Sequence, residues 1–285
     1  MILIFFGIFI VSCTSNDTSV LLTDQNLYEN NNLDDFELFN KANINIESNQ
    51  LDLALVDLDK LDVLFPSSLY ANKGLLLKAY IYFLKEDYEK TRAISESYKK
   101  YYPGSKDITY ANYLEAMTYY ILIKKPEYSQ KNSYNAMEKF NFILNAYPNS
   151  TYEIDIITKM QIVDNNIAAN KLSTSIFYLN KKNISGALIY LKDIFNNHSS
   201  SLAIEEALYY IVKIYDLLDE DDLAKEYAAI LAYNFPNGKW YEMSYNLLND
   251  IKMKENKETW FSKYDPIKLF IKEQTDESFV IQKID

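Results

Sequence analysis

Leu51, Ala54, Leu55, Leu58, Leu61 and Phe65 recur at steps of three and four residues. That spacing places side chains on one face of an α-helix. Leu51, Leu53 and Leu55 also alternate as a strand would, but the apolar face runs on for about four turns, and this length decides for helix. The same period returns in Leu76, Ala79, Tyr80 and Phe83. Along the chain it predicts paired helices: 34–50 with 51–64, 69–85 with 88–101, 108–123 with 133–146, 152–182 with 185–196, and 202–218 with 221–234. A last helix over 239–253 would cap the series. The connector 124–132 is longer and carries Pro126. Helix 152–182 would span about 45 Å at about 1.5 Å per residue.

Between the pairs a motif repeats: an aromatic, a proline, a small turn residue, then often Ser or Gly. It reads Phe65-Pro66-Ser67-Ser68, Tyr102-Pro103-Gly104-Ser105, Tyr147-Pro148-Asn149-Ser150 and Phe235-Pro236-Asn237-Gly238. Phe195-Asn196-Asn197-His198-Ser199-Ser200 is a degenerate copy, and His198 sits in this turn, which lacks the proline of the others. Proline cannot donate to a helix ladder and disfavours helical geometry before it, so each copy ends a helix. A period of this size marks a helical repeat array, most simply tetratricopeptide (TPR) hairpins. Ala54, Ala79, Ala116, Ala136, Ala187, Ala207 and Ala224 fall where such hairpins cross closely. The expected fold is all-α, a TPR-type helical-hairpin solenoid of about five repeats. Such an array buries each hairpin against its neighbours and leaves a concave face, so function is sought on surfaces.

Composition narrows the chemistry. The 5 glycines are scattered, which removes the phosphate-binding glycine loops. The 26 tyrosines and 15 phenylalanines are expected mainly in the core, with the remainder free to line a groove. Net charge is −11, and no dense Lys/Arg cluster offers nucleic acid a basic face. The only histidine, His198, reads as a solvated loop residue. One His and one Cys cannot build a His/Cys metal site, and neither metal nor cofactor is expected. The run Asp219-Glu220-Asp221-Asp222 reads as solvated helix caps. A helical-solenoid lytic transglycosylase needs a Glu-Ser pair in a glycine-bearing catalytic domain. Glu-Ser occurs at 47–48, 96–97 and 277–278 without one, so no enzyme is expected.

The amino terminus carries a separate signal. Residues 1–12 are apolar and end at Cys13. The stretch is too short to span about 30 Å of hydrocarbon and suits the core of a secretory signal. Ile10-Val11-Ser12-Cys13 resembles a bacterial lipobox, which makes Cys13 the lipidation site and the mature first residue. Several acyl chains, each worth about 0.8 kcal/mol per buried CH₂, anchor where one does not. No Lys or Arg precedes the apolar stretch, which points to a start codon assigned too far downstream. Thr14 stands where lipoproteins retained in the inner membrane usually carry Asp, so export to the outer membrane is expected. The predicted organisation is a lipoprotein signal peptide at 1–12, a flexible tether at 13–34, a TPR superhelix with its capping helix at 35–253, and a carboxy-terminal tail at 254–285.

The order of these elements resembles the BamD family, the TPR lipoproteins of the outer-membrane β-barrel assembly machinery. The resemblance covers about residues 35–242. It is carried by Ala54-Leu55-Val56-Asp57-Leu58-Asp59-Lys60-Leu61 leading into Phe65-Pro66, by Ala79-Tyr80-Ile81-Tyr82-Phe83 with Asp87-Tyr88, and by Tyr110-Ala111-Asn112-Tyr113-Leu114. Tyr147-Pro148-Asn149-Ser150-Thr151-Tyr152 followed by Asp155, Asn166-Ile167-Ala168, and Glu205-Glu206-Ala207-Leu208 continue it. The resemblance implies a scaffold on the periplasmic face of the outer membrane. Its carboxy-terminal repeats would dock a BamA-like barrel subunit, other assembly lipoproteins would join it, and its amino-terminal repeats would hold the carboxy-terminal signal of unfolded outer-membrane proteins. Tyr70, Lys73, Leu77, Tyr110 and Tyr113 are the groove candidates, with hairpin packing as the competing role for each. The family often places a BamA-pairing Arg where this chain has Tyr190 or Leu191. That contact is not carried over, and Tyr190 and Lys192 are the partner-binding candidates. Another periplasmic TPR lipoprotein, an envelope-integrity adaptor or a chaperone, is the alternative.

Overall fold

The computed structural model describes residues 33–249. The chain divides into two compact units, Met1–Pro66 and Ser67–Asp285. The signal peptide, Cys13, nearly all of the tether and the tail lie outside the described residues.

In the first unit, α1 (Asp35–Glu47) and α2 (Leu51–Leu64) form a hairpin. Asp34 starts it with a reciprocal cap: its carboxylate accepts the Glu37 N–H at 2.7 Å, and the Glu37 carboxylate accepts the Asp34 N–H at 3.2 Å. Leu38, Phe39, Ala42 and Ile46 of α1 are buried, as are Ala54, Leu58 and Leu61 of α2. Asp57 is buried with them and is satisfied by Lys41 at 3.1 Å and Asn45 at 2.8 Å.

The second unit contains α3 (Leu69–Leu84), α4 (Tyr88–Tyr101), α5 (Ile108–Ile121), α6 (Lys131–Ala146), α7 (Glu153–Asn180), α8 (Ile184–Asn197), α9 (Ile204–Leu217), α10 (Asp221–Asn234) and α11 (Lys239–Leu248). Each helix packs on the next, and α11 closes on both α9 and α10. This is the all-α, TPR-type hairpin architecture. Among the described residues no helix is long and apolar enough to cross a membrane. α7 starts and stops inside the expected 152–182, and α11 ends at Leu248 rather than at 253.

Two turn types alternate, and each has a local cause. Within hairpins, Asn49, Glu86, Lys182 and Asp219 adopt left-handed φ of 56° to 60°. The next N–H then reaches back five residues, as from Gln50 to the Asn45 carbonyl and from Asn183 to the Tyr178 carbonyl. These bonds satisfy carbonyls that a helix end leaves open. Between hairpins, Phe65, Tyr102, Tyr147 and Phe235 end their helices at φ −128° to −134°. Each donates its N–H to a buried residue four positions back: Leu61, Tyr98, Ile143 and Leu231. Proline follows in all four, and these residues avoid the helical geometry that proline disfavours in its predecessor.

His198 ends α8 with φ −133° and donates to Ile194. It therefore takes the place of the aromatic, and Ser199 that of the proline. This shifts the degenerate copy by three residues from the sequence expectation. His198 is also not a solvated loop residue. Its side chain is 12% exposed, and Nδ1 lies 2.6 Å from Asp164 Oδ1 on α7.

The seven alanines expected at close crossings are all fully buried. The α5–α6 connector, which lacks the left-handed turn, is held from α7 instead. Asn166 Nδ2 donates to the Lys124 carbonyl at 3.1 Å, Gln130 Oε1 at 2.5 Å and Ser133 Oγ at 3.2 Å, and Asn170 Nδ2 donates to the Pro126 carbonyl at 2.5 Å. The tyrosines are less uniformly core than expected. Tyr80, Tyr98, Tyr113, Tyr120, Tyr209 and Tyr215 are buried, while Tyr101, Tyr128, Tyr134, Tyr233 and Tyr245 are exposed and others lie between. A phenol keeps a polar end that tolerates the boundary with water.

Candidate functional site: a tyrosine strip across α3, α5 and α7

Tyr70, Lys73 and Leu77 occur at i, i+3 and i+7 of α3, a spacing that puts them on one face, and Tyr80 extends it. Tyr70 is half-buried, Lys73 is only 6% exposed, and Leu77 and Tyr80 are buried. Burial pushes the Tyr80 phenol up. Tyr110 of α5 is half-buried and packs on the small core of Leu76, Tyr98 and Ala111. Burial, then the neighbouring Tyr80 and Tyr152 hydroxyls, push its phenol far above the ordinary value.

From Tyr110 the strip crosses to the start of α7. Tyr152 stacks on Tyr113, with centroids 4.5 Å apart, and on Tyr110 at 6.0 Å. The Tyr113 hydroxyl donates to Asp155 Oδ2 at 2.6 Å. Asp155 Oδ1 pairs with Lys159 one turn along α7, and the Lys159 ammonium lies 5.6 Å from the Tyr120 ring centroid. Tyr113 is 8% exposed, so its ring and hydroxyl are largely engaged within the chain. Tyr110 and Tyr113 thus come together through Tyr152, which the groove candidates omitted. Tyr152 and Asp155 stand three residues apart at a helix start, one turn from Lys159, and that spacing was the available signal.

Tyr190 and Lys192 do not form one site. Tyr190 stacks on Tyr178 of α7, centroids 5.6 Å apart, while Lys192 lies 5.5 Å from the Tyr215 ring of α9. A hydrogen bond with Tyr215 raises the Lys192 amine's pKa. Two residues apart on a helix, they turn to different neighbours. Ile189 beside them is the exposed apolar side chain of α8.

Charged pairs elsewhere join helices. Glu115 of α5 binds Lys99 of α4 and, at 2.7 Å, Lys139 of α6. Asp193 of α8 pairs with Lys171 of α7. Among the described residues no group of His, Cys, Asp and Glu could hold a metal ion.

Comparison with known proteins places this architecture. The family described as outer membrane lipoprotein, YfiO, matches residues 31–231. Outer membrane protein assembly factor BamD of Rickettsia prowazekii (strain Madrid E) is 30% identical over 75% of this chain and 85% of its own length. The protein of that name from Caulobacter vibrioides is 27% identical over 65% of this chain and 61% of its own. The one from Neisseria gonorrhoeae is 23% identical over 70% and 79%. The chain belongs to the YfiO family of outer membrane lipoproteins, the family of BamD.

Proposed function

We propose that this protein is a non-enzymatic scaffold of the outer-membrane β-barrel assembly machinery. Cys13 carries the lipid that holds it at the periplasmic face of the outer membrane. Its later hairpins bind a BamA-like barrel subunit beside other assembly lipoproteins, and its earlier ones hold the carboxy-terminal signal of unfolded outer-membrane proteins. The role in outer-membrane protein assembly is supported by relatives that bear that name over 65% to 75% of the chain. The observation that carries the peptide-binding part is the stack of Tyr110, Tyr152 and Tyr113 across α5 and α7, with Tyr80 of α3 near enough to raise the Tyr110 phenol's pKa. Aromatic faces give an extended peptide apolar contact, and interleaved polar groups satisfy its backbone.

The test is affinity purification of the carboxy-terminally tagged protein from detergent-solubilised envelopes, with mass spectrometry of the co-purifying chains. Recovery of a large outer-membrane barrel with periplasmic domains, in comparable amount, is expected. Recovery of Tol-Pal or peptidoglycan-associated proteins instead would place it among the envelope-integrity adaptors.

A further inference from the structure

Asp155 lies at the α7 end of the tyrosine strip, bonded to Tyr113. Its two neighbours are shut in while it is not. Tyr113 is 8% exposed and the Lys159 side chain 4%, whereas the Asp155 side chain keeps 30% of its surface. Tyr113 holds Oδ2 and Lys159 holds Oδ1. An ionised carboxylate offers about four lone-pair positions, so these contacts leave roughly two. A carboxylate gripped on both oxygens by buried donors has a fixed orientation, and such support is what makes a recognition group specific.

Charge decides what it recognises. Lys159 offsets charge on Asp155, which lowers its attraction for a cationic side chain. The carboxylate still offers an oriented acceptor for a neutral N–H. Tyr152 stands one turn before Asp155 at the start of α7 and stacks on Tyr113, which holds Asp155, with Tyr110 beyond Tyr152. An extended peptide resting on Tyr152 and Tyr110 turns a main-chain N–H to one side at every second residue.

We infer that Asp155 is a specificity-determining acceptor for one main-chain N–H of an extended peptide lying along Tyr110 and Tyr152, with Tyr113 and Lys159 as its positioning residues. This rests on the peptide-binding reading above. It adds which atom reads the backbone and predicts that the bound segment is extended at that point.

The experiment uses the purified full-length chain and a fluorescent synthetic peptide of about ten residues, alternating apolar and polar and ending in Phe with a free carboxylate. Binding is read by anisotropy for this probe and for a series carrying a single N-methyl group at each internal amide in turn. One N-methyl position should weaken binding to the unaltered protein about tenfold. Asp155→Asn should weaken binding of the plain probe by a similar factor and should lose sensitivity to that position alone. Tyr113→Phe, which removes one hydroxyl, should weaken binding about threefold and is the measure to use if Asp155→Asn does not fold. A merely structural tie between α5 and α7 would leave the N-methyl pattern unchanged in Asp155→Asn, and that result overturns the assignment. So does affinity that falls steeply with salt and requires Lys or Arg in the probe. Failure of the unaltered chain to bind the probe removes the peptide-binding reading and the acceptor with it. Binding that Asp155→Asn and Tyr113→Phe both leave intact removes the acceptor alone.

Discussion

His198 Nδ1 lies 2.6 Å from Asp164 Oδ1, across 34 residues of chain. The histidine ends α8 with the backbone geometry that an aromatic adopts before proline in the other four inter-hairpin turns. Ser199 gives this turn none of proline's stiffness, and the link to α7 supplies a constraint in its place. Gln161 reaches the Ser200 carbonyl and Asn165 accepts the Leu202 N–H, so the turn is pinned to α7 at three points.

His198→Ala should therefore loosen this joint. The Ser201 and Ile204 amides, which donate within the turn, should exchange about tenfold faster, reflecting roughly 1.4 kcal/mol of local stability. Asp164→Ala should do the same, and the double variant no more than the larger single one. Additive effects, measured by hydrogen exchange, would mean that the two residues act separately.

Lys182 adopts φ 57° at the α7–α8 turn. A side chain there costs about 1 kcal/mol that glycine does not incur. Lys182→Gly should raise stability to chemical denaturation by about that amount. An unchanged or lower midpoint would contradict the strain.

Gly238 begins the turn into α11. A Cβ there would fall 1.8 Å from Glu205 Oε1, the oxygen that accepts the Trp240 N–H at 3.2 Å. The flexible carboxylate can move aside, but α11 then loses its cap. Gly238→Ala should cost about 1 kcal/mol, and much less in a Glu205→Ala background. Equal costs in both backgrounds, from thermal unfolding, would show that the cap is not what is lost.

Glu115 predicts an acid limb. Burial pushes its carboxyl up, but hydrogen bonds from Lys139 and Lys99 outweigh this, so its pKa lies below the ordinary 4.5. An acid with a depressed folded pKa contributes stability above its unfolded value and loses it as pH falls through the folded one. Glu115→Gln should therefore destabilise at pH 7, where it leaves two lysines without their carboxylate. Its urea midpoint should then fall less steeply than the parent's as pH drops below about 5. Parallel curves would contradict this role.

The groove reading makes its own prediction. Replacing Tyr70 and Tyr113 together by Ala should weaken binding of a barrel-signal peptide at least tenfold, since each aromatic contact is worth about 1 kcal/mol. Unchanged affinity in a folded double variant would reject both assignments.

Much of this fold was written in local pattern. Each second helix carries a small buried residue seven positions before a large buried one and eleven before its cap: Ala54, Leu61 and Phe65; Thr91, Tyr98 and Tyr102; Ala136, Ile143 and Tyr147; Ala187, Ile194 and His198; Ala224, Leu231 and Phe235. Counting eleven from Ala187 finds His198, whereas matching on the visible aromatic chose Phe195. Proline ended helices where its chemistry requires. The left-handed turns were less legible, because Glu86 and Lys182 among their residues do not favour that conformation as Asn49 and Asp219 do. The site was half legible. Tyr110 and Tyr113 lie on a readable helix face, but the stack through Tyr152 and the bond to Asp155 join residues about 40 apart, and no helical period reports such distance. Lys73, a lysine at a boundary position, gave no sign that it would be buried.

The most direct test of the central claim is depletion of this protein in its own cells, with quantitative proteomics of isolated outer membranes. Membership in the barrel-assembly machinery predicts that integral β-barrel proteins fall together, several-fold, while lipoproteins of the outer membrane keep their levels. Barrel proteins that remain at full abundance after the chain is gone would contradict it.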